Sequence, residues 1–158
     1  MASRPSKAYR IADRRRRIFD GTGAFLNGAR WNSPGRRIIY GADTFAGAML
    51  EVLAHAGIGK LPRRQAWIEI DIPAEVFIEQ VETADLPGWD SQDSPVARQF
   101  GDTWHRLQRS LILIVPSVVT TGIGRNVLIN QDHPEFRSLK ASPPRAVRWD
   151  VRLFQRSR

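Results

Sequence analysis

Four residues of this 158-residue chain sit where a side chain could do chemistry: Arg30, Tyr40, Glu51 and Ser117. Arg30 follows Gly28 and precedes Trp31 and the turn Ser33-Pro34-Gly35, so its guanidinium is either a surface group pairing with an aspartate or a packed, aimed fork of donors. A fork of that kind suits a diphosphate better than a lysine does. Tyr40 ends the apolar run Ile38-Ile39 and is either a core tyrosine with a satisfied hydroxyl or a ring platform for a planar ligand. Glu51 is the lone acid in the apolar stretch Ala46-Gly47-Ala48-Met49-Leu50-Glu51-Val52-Leu53-Ala54. Such a glutamate faces solvent, or it stands at the rim of a dry cleft, where it stabilises developing positive charge. Ser117 follows Pro116 at a strand end, a position shared by turn-forming and site serines.

Other chemistries lack their residues. There is no cysteine, which excludes disulfides, thiolate zinc sites, iron–sulfur clusters and a cysteine nucleophile, and suits a reducing cytoplasm. The sequence contains no GxxxxGK[ST] loop, no GxGxxG between a strand and a helix, and no HExxH. His55, His105 and His133 lack metal-ligand spacing, and Glu51 with His55 at i and i+4 would need further ligands, so no metal is expected.

The net charge of +8 is unevenly spread. Residues 1–37 carry ten Lys/Arg and two Asp, residues 69–102 carry nine acids and only Arg98, and residues 103–158 are again basic. That asymmetry predicts an anionic partner. The run Arg14 to Arg17 is the plainest nucleic-acid signal, but no aromatic residue interleaves it and no known RNA- or DNA-binding motif surrounds it. A solvated edge or a docking surface is therefore favoured over direct nucleic-acid binding. No signal peptide is expected, and Leu111 to Val115 is too short an apolar run to span a bilayer.

The elements that must position these residues read as follows. Strands are expected at Lys7–Ile11, Arg37–Gly41, Ala66–Ile72, Val76–Val81, Leu111–Val115 and Asn126–Ile129. A last strand is expected over the alternating Val147, Trp149, Val151 and Leu153. Gly21 to Gly28 reads as a loop. One helix starts at Asp43 or Thr44 and stops at Gly57, with Phe45, Met49, Val52, Leu53 and Ala56 as its apolar stripe. A second opens at Ser94-Pro95 and buries Val96, Phe100, Trp104 and Leu107. Mostly β with two marked helices, the order predicts an α+β class and disfavours a doubly wound nucleotide-binding sheet.

Seven pieces of the chain, in order, resemble the RES-domain family, the toxin half of a common bacterial toxin–antitoxin system. They are Tyr9-Arg10, Gly28 to Gly35, Ile39-Tyr40, Leu50 to His55, Val115-Pro116-Ser117, Asn126 to Asn130 with His133-Pro134, and Asp150 to Leu153. The arginine, glutamate and serine that name the family fall on Arg30, Glu51 and Ser117. The resemblance implies a single RES domain over 1–158, with its core at about 7–154. It implies an ADP-ribosyltransferase-toxin-like fold, a split mixed β core flanked by helices. It also implies NAD as substrate, broken between nicotinamide and ribose, and a cognate antitoxin protein as partner.

On that resemblance Arg30 holds the diphosphate or its adjoining ribose, with Arg10 as a weaker second. Tyr40 stacks at the nicotinamide end, Glu51 bonds a ribose hydroxyl and stabilises the cation, and Ser117 supports the ribose or Glu51. His55 is an acceptor-side base or a structural neighbour. Release of ADP-ribose is slightly favoured over transfer to a protein. Ala29 stands where many relatives carry glycine, and the Arg14–Arg17 run is no family requirement.

Overall fold

The computed structural model describes residues 3–57 and 59–155. Eight strands form one mixed sheet: β1 (Lys7–Asp13), β2 (Ile38–Ala42), β3 (Gln65–Asp71), β4 (Ile78–Gln80), β5 (Ile112–Pro116), β6 (Arg125–Asn130), β7 (Lys140–Ala141) and β8 (Arg145–Ala146). Their order is β4-β5-β6-β2-β1-β3-β7, with β8 also on β3. The β4–β5 pair is parallel and the other pairs are antiparallel. Three helices, α1 (Thr22–Asn27), α2 (Phe45–Ala56) and α3 (Pro95–Arg106), flank it. No helix is long and apolar enough to cross a membrane among the described residues.

The sheet nearly parts in its middle. β1 follows β3 along its whole length, from Lys7↔Asp71 to Asp13↔Gln65, and β2 follows β6 from Ile38↔Asn130 to Ala42↔Asn126. Yet β1 and β2 meet at the single register pair Tyr9↔Ala42. Gly41 stands at this junction because a Cβ there would come within 2.8 Å of the Tyr9 carbonyl oxygen. The split mixed core and the α+β class are thus as the sequence predicts.

The central strands are buried on both faces, which explains their unbroken apolar runs. On one side Ile39, Ile112, Ile114, Val127 and Ile129 join Ala8, Ile68 and Ile70 of β1 and β3 in one core. On the other, Ile38, Leu113, Val115 and Leu128 pack with Trp31, Trp89 and Trp104.

Several expectations are corrected. The Gly21–Gly28 stretch contains a short helix, α1, closed at both ends by backbone bonds from Phe25 N–H to Gly21 and from Gly28 N–H to Ala24. In α3 Trp104 is buried and Phe100 packs on Trp31 as expected, but the other buried residues are Ala97, Gly101 and His105, and Leu107 is 59% exposed. The stripe is turned because the helix lies against the Trp31 backbone: a Cβ on Gly101 would sit 1.7 Å from the Trp31 carbonyl oxygen. Only a helix presenting glycine there can approach so closely.

The predicted last strand does not form. The paired residues are Arg145–Ala146, and Val151–Leu153 is a 3₁₀ turn started by the Asp150 carboxylate accepting the Arg152 N–H. The alternation of Val147, Trp149, Val151 and Leu153 marks no core face, since Val151 and Leu153 are exposed. β4 is shorter than the predicted Val76–Val81, and β7 was not anticipated.

The α3–Trp31 contact gives a paired test. Gly101→Ala forces α3 off the loop and is expected to cost about 2 kcal/mol or more. Gly23→Ala on α1, where nothing lies within 4 Å of the added methyl, is expected to be neutral or to stabilise by roughly 0.5 kcal/mol. Urea midpoints of the two variants check both signs.

Candidate active site

Helix α2 is set by its ends. Thr44 Oγ1 accepts the Gly47 N–H at 2.9 Å, and Gly57, at φ +90°, stops the helix. One and a half turns in, Glu51 reaches the ends of two adjacent strands. Its Oε1 accepts from Ser117 Oγ at 3.0 Å and from Asn126 Nδ2 at 3.0 Å.

Both donors are rigidly placed. Asn126 pairs with Val115 in the β5–β6 ladder, and Ser117 is buried with its N–H bonded to the Gly124 carbonyl. Two neutral donors on one oxygen fix the carboxylate without neutralising it. No hydrogen bond among the described residues engages Oε2.

A cavity of about 900 Å³ opens in front of this carboxylate, and Arg10, Arg30, Tyr40, Glu51 and His55 all line it. That is room for a dinucleotide-sized ligand. Ser117 stands behind Glu51, with its neighbours Pro116 and Val118 at the wall. The structure therefore gathers the six residues singled out from the sequence around one cleft.

Arg10 sits at the split between β1 and β2. Its Nη1 donates to the Tyr40 carbonyl at 2.8 Å and its Nε to the Ile18 carbonyl at 2.6 Å. Burial pushes the guanidinium below its ordinary value, partly countered by Asp20. Arg30 donates from Nη1 to the Ser91 carbonyl at 2.9 Å, with the Trp89 carbonyl at 3.4 Å, and among the described residues it forms no ion pair with an aspartate. Both arginines are held by carbonyl oxygens, which orient a guanidinium without a direct ion pair.

Tyr40 contributes its ring to the cavity and its hydroxyl to the Arg30 loop. The hydroxyl donates to Asn32 Oδ1 at 2.6 Å and accepts from the Trp31 N–H at 3.3 Å. Burial raises the phenol well above the usual tyrosine range, so it stays protonated and remains a donor. Asn32 in turn is fully buried and donates to the Ala24 and Ser33 carbonyls. His55, exposed one turn beyond Glu51, has Nδ1 at 2.8 Å from the Glu51 carbonyl. A carbonyl only accepts, so Nδ1 carries a proton, which leaves Nε2 as the ring nitrogen that faces away from the Glu51 backbone.

Two residues escaped the sequence reading as site components. Asn126 lies 75 positions from Glu51, and only strand pairing could bring them together. Asn32 was visible inside the Gly28–Gly35 stretch, but its part in tying Tyr40 to that loop depends on the fold.

A family model described as the RES domain matches residues 7–150. The chain is 37% identical over 141 residues to the "Prs ADP-ribosylating toxin" of Sphingobium sp. (strain YBL2), covering 87% of each chain. It is 35% identical to the "Toxin Res" of Photorhabdus laumondii, over 75% of this chain and 76% of that one. With the "Toxin Res" of Yersinia enterocolitica it shares 32% identity over 92% and 97%. The fold is also similar to the crystal structure of the Mycobacterium tuberculosis MbcT–MbcA toxin–antitoxin complex, with a TM-score of 0.70, 20% identity, and coverage of 88% and 82%.

The hydroxyl of Tyr40 is separable from its ring. Tyr40→Phe leaves buried Asn32 Oδ1 without its donor and is expected to lower stability by about 1–3 kcal/mol in urea unfolding. Tyr9→Phe removes only a long 3.4 Å bond to Glu69 and is expected to cost well under about 1 kcal/mol.

Proposed function

The chain belongs to the RES-domain toxin family, and on that premise we propose that it is the toxin of a toxin–antitoxin pair and acts on NAD. It breaks the bond between nicotinamide and ribose. The observation that carries this reading is the Glu51 carboxylate, held on Oε1 by Ser117 and Asn126 at the wall of a cleft that also contains Arg10 and Arg30.

The chemistry needs such a wall. As the glycosidic bond breaks, nicotinamide leaves neutral with the bonding electron pair, and positive charge develops on the ribose. Glu51 Oε2 takes a ribose hydroxyl proton as hydrogen-bond partner and stabilises that charge through space. A carboxylate fixed beforehand by two donors does this without reorganising. Arg10 and Arg30 hold the diphosphate, and the Tyr40 ring backs the nicotinamide end. In hydrolysis, water adds to the ribose carbon and gives up its proton, for which Nε2 of His55 is a suitable base. The products are then nicotinamide, ADP-ribose and one proton.

The acceptor distinguishes two versions of the same cleavage. Release of ADP-ribose to water or phosphate requires only the cleft and a small nucleophile. Transfer to a cellular protein is favoured by the name of the Sphingobium relative, an ADP-ribosylating toxin at 37% identity. A cognate antitoxin is the expected partner in both. A ribonuclease or nucleic-acid-binding toxin built on Arg14–Arg17 gains no support, because that run is exposed and lies outside the cleft lining.

Incubation with adenylate-labelled NAD, with and without cell lysate, separates the versions: nicotinamide release without protein marks hydrolysis, and label on a protein band marks transfer. Glu51→Gln is expected to lower nicotinamide release by about 10²–10³-fold with the fold intact. Ser117→Ala and Asn126→Ala are each expected to lower it by about tenfold, and the double variant by an amount that differs from the product of the two, since they share one oxygen. Unchanged NAD cleavage by Glu51→Gln overturns the reading.

A further inference from the structure

Eight cations that the cleft does not use converge at one end of β1 and β3. Arg14, Arg16 and Arg17 follow β1 directly, and Lys60, Arg63 and Arg64 precede β3. The two segments are joined by the Arg14 N–H, which donates to the Arg64 carbonyl at 2.7 Å, beside the register pair Asp13↔Gln65. Arg145 and Arg148 come to the same end, because Arg145 pairs with Trp67 and the Val147 N–H donates to the Gln65 carbonyl at 3.0 Å.

All eight residues are exposed, and none has a carboxylate within ion-pair distance among the described residues. Arg15, in the middle of the run, is the exception that shows the contrast: Asp13 binds it through two oxygens. Asp13 acts on Arg64 through space, but eight like charges outnumber that one acid and raise the free energy of the isolated chain, which a partner supplying counter-charges recovers.

This basic collar borders the cleft. Pro62 and Gln65 from the collar side line the cavity, together with His55 and Ala56 from the last turn of α2. Gln92 and Ser94 also line the cavity, from a segment of the other sign in which Glu82, Asp85, Asp90 and Asp93 are exposed and form no ion pair among the described residues. The residues that line the cleft thus adjoin a basic stretch of chain and an acidic one.

We infer that the collar formed by Arg14, Arg16, Arg17, Lys60, Arg63 and Arg64, with Arg145 and Arg148, docks an acidic face of the protein that receives ADP-ribose. The inference rests on NAD cleavage at Glu51 and deepens its transfer version. A collar on the His55 side of the cavity brings a bound protein to the end where the ribose carbon is attacked. A single diphosphate cannot engage eight cations on three chain segments, so holding NAD does not account for them. A nucleic-acid strand crossing the mouth would meet the acidic stretch, and the tryptophans beside the collar are already engaged, Trp67 by Arg145 and Phe45 and Trp149 edge-on by Phe154. A protein surface can carry acids for one stretch and bases for the other.

The test uses the full chain, adenylate-labelled NAD and bacterial lysate. Two variants are compared with the unaltered protein, one with Arg14, Arg16, Arg63 and Arg64 all changed to Gln, the other with the same four changed to Lys. The Gln variant is expected to label protein at least about tenfold less while releasing nicotinamide at an unchanged rate in the absence of protein, and the Lys variant to keep most of the labelling. Raising the salt should reproduce the loss in the unaltered protein. Equal labelling by the Gln variant overturns the inference, as does a parallel fall in nicotinamide release. Loss of labelling after nuclease treatment of the lysate overturns it in favour of a nucleic-acid partner. Nicotinamide release with no labelled protein overturns the docking role alone, whereas no release at all overturns the NAD reading with it.

Discussion

Everything at the candidate site depends on β1 and β2 parting after one shared pair, Tyr9↔Ala42. Two continuous ladders would have closed the sheet and filled the gap with backbone hydrogen bonds. Instead the Tyr40 carbonyl at the split is satisfied by the Arg10 guanidinium, which also takes the Ile18 carbonyl. Buried backbone acceptors need partners, so the split is tolerable only because a long, forked donor fills it. The same substitution of a side chain for a strand neighbour leaves a cation at the wall of the cleft. Structure and site chemistry share this one residue.

The opposite wall follows a complementary logic. Glu51 is fixed by two donors that carry no charge, and the arginines are fixed by carbonyls that carry none. Had Glu51 paired with Arg10 or Arg30, the Coulomb gain would have stabilised the empty cleft and left little field for a ligand. Separate neutral supports keep the negative and positive groups apart in a partly dry space, where each keeps its field for a ligand. Tyr40 couples the walls mechanically: its carbonyl holds Arg10, while its hydroxyl ties down Asn32 and Trp31 beside Arg30.

Much of this was legible in the residues. The apolar run Leu111–Val115 and the alternation in Ala66–Ile72 reported strands because burial on two faces, or on one, leaves a direct mark on sequence. Thr44 and Gly57 marked the ends of α2 because capping is local. Glu51 stood out as one acid in an apolar helix, and the structure seats it against Ser117. What depends on contacts distant in sequence left no such mark. Asn126 looks like any strand residue until the β5–β6 ladder places it beside Glu51. The face of α3 was misread because close packing against the Trp31 backbone selects Gly101, and a hydrophobicity pattern cannot report a contact made by an absent side chain. The C-terminal alternation misled for the converse reason, since Asp150 caps a turn there and no neighbouring strand extends to receive the apolar residues.

The central claim is that the cleft between these walls seats NAD with its nicotinamide ribose at Glu51. A crystal structure of the Glu51→Gln variant soaked with NAD tests it most directly. The account predicts the nicotinamide ribose within hydrogen-bond distance of residue 51 and the diphosphate against Arg10 and Arg30. A dinucleotide bound elsewhere, or a cleft left empty at saturating NAD, would contradict it.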